Sequence, residues 1–163
     1  MTVWEQRPIE VANLFNPAFC GEIVRLCVKS YVNEAGIGFP YILSFLVLPT
    51  LMYSDTRATM AARRYTFLYN WLQEHPYLRV GFAERVRELL PISKETLTFL
   101  LQIGALTLDN EAELSPTQYR RRRLNSQNEA SIKDFYNKAE LLGKWLARAG
   151  DVVTIYALWG VQP

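Results

Sequence analysis

The feature that most constrains this chain is a run of twenty residues without a charge, at positions 35–54. A run of this length can cross a bilayer as a helix. Two glycines and Pro40 occupy its start, however, and the part from Pro40 to Met52 covers only about 20 Å at the α-helical rise. The flanking residues, Glu34 and Asp55, are acidic and provide no basic anchor. The run therefore predicts a central helix buried on all sides, with a membrane segment as the alternative.

A central buried helix needs a surrounding core, and half of the 163 residues are hydrophobic. That composition builds a core without disulfides or metal. The patterns predict one mainly α-helical domain over residues 1–163. It divides into a helical part at 1–76, a winged-helix-like part at 77–115, and a loop, long helix and C-terminal strand at 116–163.

The two cysteines, Cys20 and Cys27, lie seven residues apart, so a helix places them on one face. Two helical turns separate them by roughly 10 Å, which is too far for a disulfide. They predict two buried thiols in a reducing compartment. The N-terminus also lacks the pattern of a signal peptide, so we expect a cytoplasmic protein.

The residues before the uncharged run predict a first helix. Asn16 can cap the free amide groups at its start, Pro17 suits its first turn, and the apolar spacing continues to about Asn33. Gly36 predicts its end. Pro49 should kink the following buried helix or end it early.

A third helix is predicted over 57–74, with its cap at 55–56. Phe67 falls on the inward face of that helix. Arg63 and Arg64 fall together near its middle.

Residues 77–115 carry the pattern of a winged helix. A helix at 77–90 is followed by a turn at Pro91-Ile92-Ser93 and a short helix at 94–103. A β-hairpin follows at 105–115.

The last third of the chain predicts a loop, a helix and a strand. Residues 116–128 are polar and read as a loop, whereas 129–149 show the cleanest helical periodicity in the chain. The β-rich tail at 151–159 predicts a strand that joins the hairpin.

The short helix can be examined as a DNA-reading element. In the major groove, its outward positions should carry Arg, Lys, Asn or Gln. They are Lys94, Glu95, Thr98 and Gln102, of which only Lys94 adds positive charge. The pattern favours a protein-docking platform over sequence-specific DNA readout.

The net charge is only +2, from 18 basic and 16 acidic residues, so nucleic-acid binding would need a local cluster. A run of four arginines is the strongest one. The candidate residues for binding a partner or a nucleic acid are Arg120, Arg121, Arg122, Arg123, Lys94, Arg63 and Arg64. Arginine binds phosphates and carboxylates alike. A nucleic acid, an acidic protein surface and a simply solvated loop are therefore all open interpretations of the run.

Residue types for bond-making chemistry are scarce. The lone histidine, His75, precedes a proline and has no nucleophile in an activating motif nearby, so we expect a capping or surface role. Two cysteines and one histidine do not form a zinc pattern, and the sequence contains no glycine-rich phosphate loop. The sequence predicts no catalytic, cofactor-binding or metal-binding residue and no small-molecule substrate. We expect a protein that is not an enzyme.

The N-terminal segment resembles a known signature. Arg7-Pro-Ile-Glu-Val-Ala-Asn-Leu-Phe-Asn-Pro-Ala-Phe-Cys20 is similar to the start of the middle components of three-component ABC systems, which include the Lamassu type. The motif residues are Arg7, Glu10, Asn13 and Asn16. The resemblance continues at Pro40-Tyr41, Phe45–Pro49, Thr56-Arg57, Lys138-Ala139, Leu142-Gly143 and Gly160-Val161. Tyr53 departs from it, because many relatives carry a histidine there.

The resemblance implies a non-enzymatic adaptor, encoded between an SMC-like or Rad50-like ABC ATPase and an effector that is often a nuclease. Such systems defend bacteria against phage or plasmids, and DNA would be reached through the complex. No cofactor or catalytic residue comes with the family. Arg7 and Glu10 would pin the N-terminal segment, and Asn16 would cap the first helix. The rival hypotheses are a free-standing winged-helix DNA-binding regulator and a small enzyme.

Overall fold

The structure is a computed structural model that describes residues 15–119 and 129–163. In these ranges the protein is mainly helical, as the sequence predicts. The α-helices are α1 (Pro17–Ala35), α2 (Ser44–Leu51), α3 (Ser54–Thr59), α4 (Leu68–Glu74), α5 (Phe82–Gln102), α6 (Glu129–Arg148) and α7 (Val152–Trp159). The strands are β1 (Phe39–Pro40), β2 (Leu106–Leu108) and β3 (Glu113–Pro116). Two 3-10 helices are Tyr41–Leu43 and Pro76–Arg79.

Helix α1 begins and ends where local chemistry predicts. The side chain of Asn16 accepts a hydrogen bond from the amide of Ala18 at 2.8 Å, and Pro17 occupies the first turn. Gly36 ends the helix in the left-handed conformation, with φ 72°, and its amide donates to the carbonyl of Val32. The predicted cap at Asn16 is therefore confirmed, because an unpaired helix amide is stabilised by a side-chain oxygen.

The uncharged run lies in the core, as predicted, but it forms a shorter helix. Residues 39–43 supply β1 and a 3-10 turn, so α2 starts only at Ser44. Every residue of α2 except Phe45 is buried, and Pro49 lies inside the helix, which continues to Leu51. Within residues 15–119 and 129–163, no helix combines the length and apolar character that crossing a bilayer requires.

The predicted third helix is broken in two, so that prediction is wrong. Helix α3 ends at Thr59 and α4 begins at Leu68, with a loop between them. Met60 and Phe67 have extended backbone conformations, which interrupt the helix. The predicted cap at 55–56 is also wrong, because these residues lie within the first turn of α3.

The predicted helix-turn-helix is wrong as well. Helix α5 runs without a break through Pro91, where the sequence predicts a turn. Pro91 is exposed, so water can satisfy the carbonyl of Arg87 that the missing proline N–H leaves free. A winged-helix element with the predicted boundaries at 77–115 is therefore not confirmed.

The C-terminal segment is helical, and the predicted strand at 151–159 is wrong. Asp151 caps α7 by accepting a hydrogen bond from the amide of Thr154 at 2.8 Å. Trp159 stacks on Phe82 of α5, with ring centroids 3.9 Å apart. The cap and the burial of one helix face outweigh the strand preference of the β-branched residues here.

The sheet confirms the predicted hairpin but takes its third strand from another place. Strands β2 and β3 pair antiparallel, with Thr107 opposite Ser115. Strand β1 pairs with β3 through Phe39 and Leu114, so the order is β1-β3-β2. The uncharged run, and not the C-terminal tail, completes the sheet.

Among the described residues, helices α1 and α6 form the most extensive contact between two helices. A side-chain carbon built on Gly143 of α6 would overlap the carbonyl oxygen of Cys27 and lie 2.9 Å from Ser30 Cβ. The hydroxyl of Ser30 donates to the carbonyl of Glu140 at 2.7 Å. Cys20 and Cys27 are fully buried thiols that form no disulfide with each other, as predicted, and burial raises the pKa of the Cys20 thiol to about 12.

Candidate partner-binding surface

The loop between α3 and α4, residues 60–67, is anchored on α6. Three side chains of α6 donate to backbone carbonyl oxygens of this loop. The hydrogen bonds are Lys138 Nζ to Met60, Trp145 Nε1 to Tyr65 (3.3 Å) and Arg148 Nη1 to Thr66 (3.2 Å). Loop carbonyls that find side-chain donors hold the loop in one place without helix or sheet pairing. The third helix that the sequence predicts here is replaced by a loop whose position is set by tertiary contacts.

The anchored loop presents Arg63 and Arg64 to solvent. Arg64 Nη2 lies 2.6 Å from Glu74 Oε2 at the end of α4, yet these two side chains remain 68% and 49% exposed. The Tyr65 hydroxyl donates to the same carboxylate oxygen at 2.8 Å. The hydrogen bond from Tyr65, together with the charge of Arg64, lowers the pKa of Glu74. Glu74 is therefore an anion at neutral pH, and it compensates part of the local positive charge.

Three aromatic side chains in the same segment are exposed: Phe67 (46%), Tyr69 (54%) and Tyr77 (55%). The prediction that Phe67 points inward is wrong. The His75 ring lies between Tyr77 and the buried Tyr65, with its centroid 5.9 Å from that of Tyr77 and 5.8 Å from that of Tyr65, so it connects Tyr77 to the contacts of Glu74. The name aromatic–arginine face is used here for the exposed charged and aromatic side chains of the stretch 63–77, which are Arg63, Arg64, Phe67, Tyr69, Glu74 and Tyr77.

His75 itself caps a helix, as the sequence predicts. It lies at the C-terminal cap of α4, and its Nδ1 is 3.0 Å from the carbonyl oxygen of Trp71. A carbonyl only accepts, so Nδ1 is the donor in this contact. The Pro76–Arg79 turn follows at once and carries Tyr77.

Lys94, another predicted binding residue, lies exposed near the middle of α5 and outside the aromatic–arginine face. The exposed charged side chains of α5 are Glu84, Arg87, Glu88 and Lys94. Two are acidic and two are basic, so the exposed side of α5 has no net positive charge.

The remaining predicted residues lie mostly outside the described part of the chain. These are Arg120, Arg121, Arg122 and Arg123 of the arginine run and Arg7, Glu10 and Asn13 of the N-terminal motif. Asn16 is described, and its role is the helix cap given above.

Other cationic side chains stabilise the fold. The guanidinium of Arg57 lies 4.0 Å over the Phe135 ring and donates to the carbonyl of Leu51. Arg25 and Glu22 form a two-pronged ion pair within α1, at 2.9 and 2.7 Å. In the part of the chain that the structure describes, no group of three or more His, Cys, Asp or Glu is placed to hold a metal.

Sequence reasoning found the two arginines of the face but missed its aromatic residues. A usable signal exists for Tyr69. At helical spacing Tyr69 shares a side with Gln73, whereas Trp71 and Leu72 form the buried side of α4. For Phe67 there is no such signal, because its exposure follows from the break between α3 and α4.

The described residues thus define a mainly helical protein with a small antiparallel sheet and an exposed aromatic–arginine face. A family model described as ABC-three component (ABC-3C) system Middle Component 3 matches residues 4–163. The chain belongs to this family of middle components, which confirms the resemblance of its N-terminal motif. No curated protein and no solved structure matches it.

Proposed function

We propose that this protein is the non-catalytic adaptor of a bacterial defence complex, in which it binds an SMC-like ABC ATPase and an effector nuclease. The observation that carries the proposal is the family match over residues 4–163. A middle component of a three-component system has partner components. The adaptor acts in the cytoplasm, takes no small-molecule substrate and reaches DNA only through the complex.

We also propose that a winged helix exists here, built from other elements than the sequence predicts. Helices α1, α2 and α5 pack on one another, and the sheet has the order β1-β3-β2. The order along the chain is α1, β1, α2, α5, β2, β3, which supports a helix-turn-helix followed by a hairpin wing. In this interpretation α3 and α4 are an insertion between the second and third helices of the winged helix, and most of the aromatic–arginine face belongs to this insertion.

The rival function, a free-standing DNA-binding regulator, would place α5 in the major groove. Its exposed acidic residues, Glu84 and Glu88, would face phosphates and offset Arg87 and Lys94. The balance of charge on α5 therefore favours a protein partner. Tight, salt-sensitive binding of duplex DNA by the isolated chain, lost on Lys94→Ala, would favour the regulator instead.

The adaptor function is tested by mixing the purified chain with each of the two components encoded beside it. We expect a stable complex with the ATPase and with the effector in size-exclusion chromatography with light scattering. We also expect no hydrolysis of ATP or DNA by the chain alone. A chain that stays separate from both components, or that turns over a substrate unaided, contradicts the proposal.

A further inference from the structure

We propose that the aromatic–arginine face binds an acidic segment of a protein partner, in which carboxylates alternate with apolar side chains. The inference rests on the proposed function, because the partner is one of the two other components of the complex. It adds the place of contact and the chemistry of the segment that docks there.

The arginines provide the charge part of the recognition. Arg63 is exposed, and Arg64 uses one amino group on Glu74 while its side chain stays 68% exposed. An ion pair this exposed contributes little to stability, so Arg64 can exchange Glu74 for a partner carboxylate at small cost. The planar guanidinium group matches a carboxylate with two parallel hydrogen bonds. The face therefore offers two exposed guanidinium groups that can pair with carboxylates of a partner.

The aromatic rings provide the apolar part. Phe67, Tyr69 and Tyr77 are each about half exposed. Aromatic and arginine side chains are the types enriched in the energetically dominant part of protein interfaces. A partner segment that covers these rings removes apolar area from water, a gain that salt does not screen.

The support beneath the face favours binding further. The loop is hydrogen-bonded to α6 through the carbonyls of Met60, Tyr65 and Thr66. At the other end, His75 caps α4 and its ring lies against those of Tyr65 and Tyr77. A surface whose backbone is already held loses less conformational entropy when a partner docks.

The charge of the face also indicates whether its partner is a protein or a nucleic acid. Arg63 and Arg64 are offset by Glu74, whose Oε2 lies 2.6 Å from Arg64, so the face has a net charge near +1. A phosphate backbone needs several uncompensated cations and would meet the Glu74 carboxylate. An acidic protein segment needs only local pairing, so it fits the face better.

The test compares two pairs of charge reversals with each purified component as the probe. Arg63→Glu with Arg64→Glu should weaken the binding of one component about tenfold or more, and the loss should shrink at high salt. The matched control is Lys29→Glu with Lys144→Glu, which makes the same charge change on two exposed lysines. These line a separate groove of about 330 Å³ between α1 and α6. The control should leave binding within about twofold of the unmodified protein.

A second pair of variants isolates the apolar part. Tyr69→Ser with Tyr77→Ser should weaken the binding of the same component by a factor that does not change with salt concentration. The control, Val153→Ser at an exposed site on α7, should leave this binding unchanged. All these side chains are exposed, so thermal unfolding should show that each variant is folded.

The outcomes separate the inference from the function. If neither component binds the unmodified chain, the proposed function fails. If a component binds equally well to the unmodified chain and to both face variants, only the present inference fails. If the lysine and the arginine reversals weaken binding equally, the partner responds to the total charge of the protein and not to a defined face, and the inference is wrong. The binding of duplex or single-stranded DNA could depend on Arg63 and Arg64 while the binding of both components does not. In that case the face is a nucleic-acid site and the inference is wrong.

Discussion

At the α1–α6 contact the two helices approach so closely that Gly143 has no room for a side chain. In contrast, the anchored loop together with α4 and the turn after it leaves three aromatic rings and two guanidinium groups in water. The same helix provides both regions. In the first, free energy is gained by burial within the chain. In the second, the backbone is held but the side chains are not covered. Substitutions in the first region should therefore change stability, and those in the second should change binding.

Apart from the loss of a buried tryptophan, used below as a control, the largest expected effect comes from Gly143→Ala. Helix propensity alone predicts that replacing a glycine inside a helix stabilises the protein by about 1 kcal/mol. The structure predicts the opposite sign, because the new carbon would overlap the Cys27 backbone, which can move only with α1. We expect a loss of about 2 kcal/mol in the free energy of unfolding, measured by urea denaturation.

The control for this prediction is Asn137→Ala, at an exposed position of α6. It should stabilise the protein by up to about 0.5 kcal/mol, because alanine is the better helix former. If Gly143→Ala also stabilises, the α1–α6 contact is looser than described and the comparison between the two regions fails.

A helix cap gives the next smaller effect. Asn16→Ala removes the oxygen that accepts from the Ala18 amide and should cost about 1 kcal/mol. Asn16→Asp retains an acceptor and should cost much less. Both changes are measured by the same urea titration. A loss at Asn16 as large as that at Gly143 would mean that the start of α1 contributes as much as its packing on α6.

Asp151 tests a cap whose effect depends on pH. The hydrogen bond from the Thr154 amide lowers the pKa of Asp151 in the folded state. A lowered folded-state pKa means that the ionised cap stabilises the protein above the unfolded-state pKa, near 4, and that this stability is lost as the pH falls through the lower folded-state value.

The measurement is the unfolding free energy of wild type and Asp151→Asn between pH 7 and pH 2. Asparagine is also a good cap but does not titrate in this range. The wild type should lose stability relative to the variant below about pH 4. A difference that stays constant over this range would contradict the role of the Asp151 charge.

The smallest effect on stability is expected at the aromatic–arginine face. Tyr69→Ser should change the free energy of unfolding by less than about 0.5 kcal/mol, because the side chain is 54% exposed. Trp71→Ser, two residues along on the buried side of α4, should cost several times more. Equal losses at the two positions would show that Tyr69 is packed, and the face would lose one of its rings.

Much of the fold could be predicted because the signals are contiguous in sequence. The cap and the proline at the start of α1, the hairpin, the long periodic helix α6 and the burial of the two thiols all follow from neighbouring residues. The candidate site was predicted only in part. Arg63 and Arg64 stand out as charges and helical spacing places Tyr69 on the exposed side of α4, but the exposure of Phe67 follows only from the break between α3 and α4.

The failed predictions share a physical cause. Pro91 and the β-branched residues of α7 carry local signals against helix, yet both segments are helical. The first is tolerated because Pro91 faces solvent, and the second because an Asp151 cap and a buried face outweigh strand preference. Neither condition can be evaluated before the neighbouring elements are in place.

Local sequence was enough to predict an uncharged run buried inside a mainly helical protein, and motifs spread along the chain were enough to predict the family. These outcomes depend on hydrophobicity, capping and residue identity, which are properties of short stretches of chain. The packing of distant segments, by contrast, sets three outcomes: β1 completes the sheet, α3 and α4 are separate helices, and Phe67 lies in water. Those outcomes depend on which surfaces meet, because the packing of distant segments sets which local preferences are satisfied.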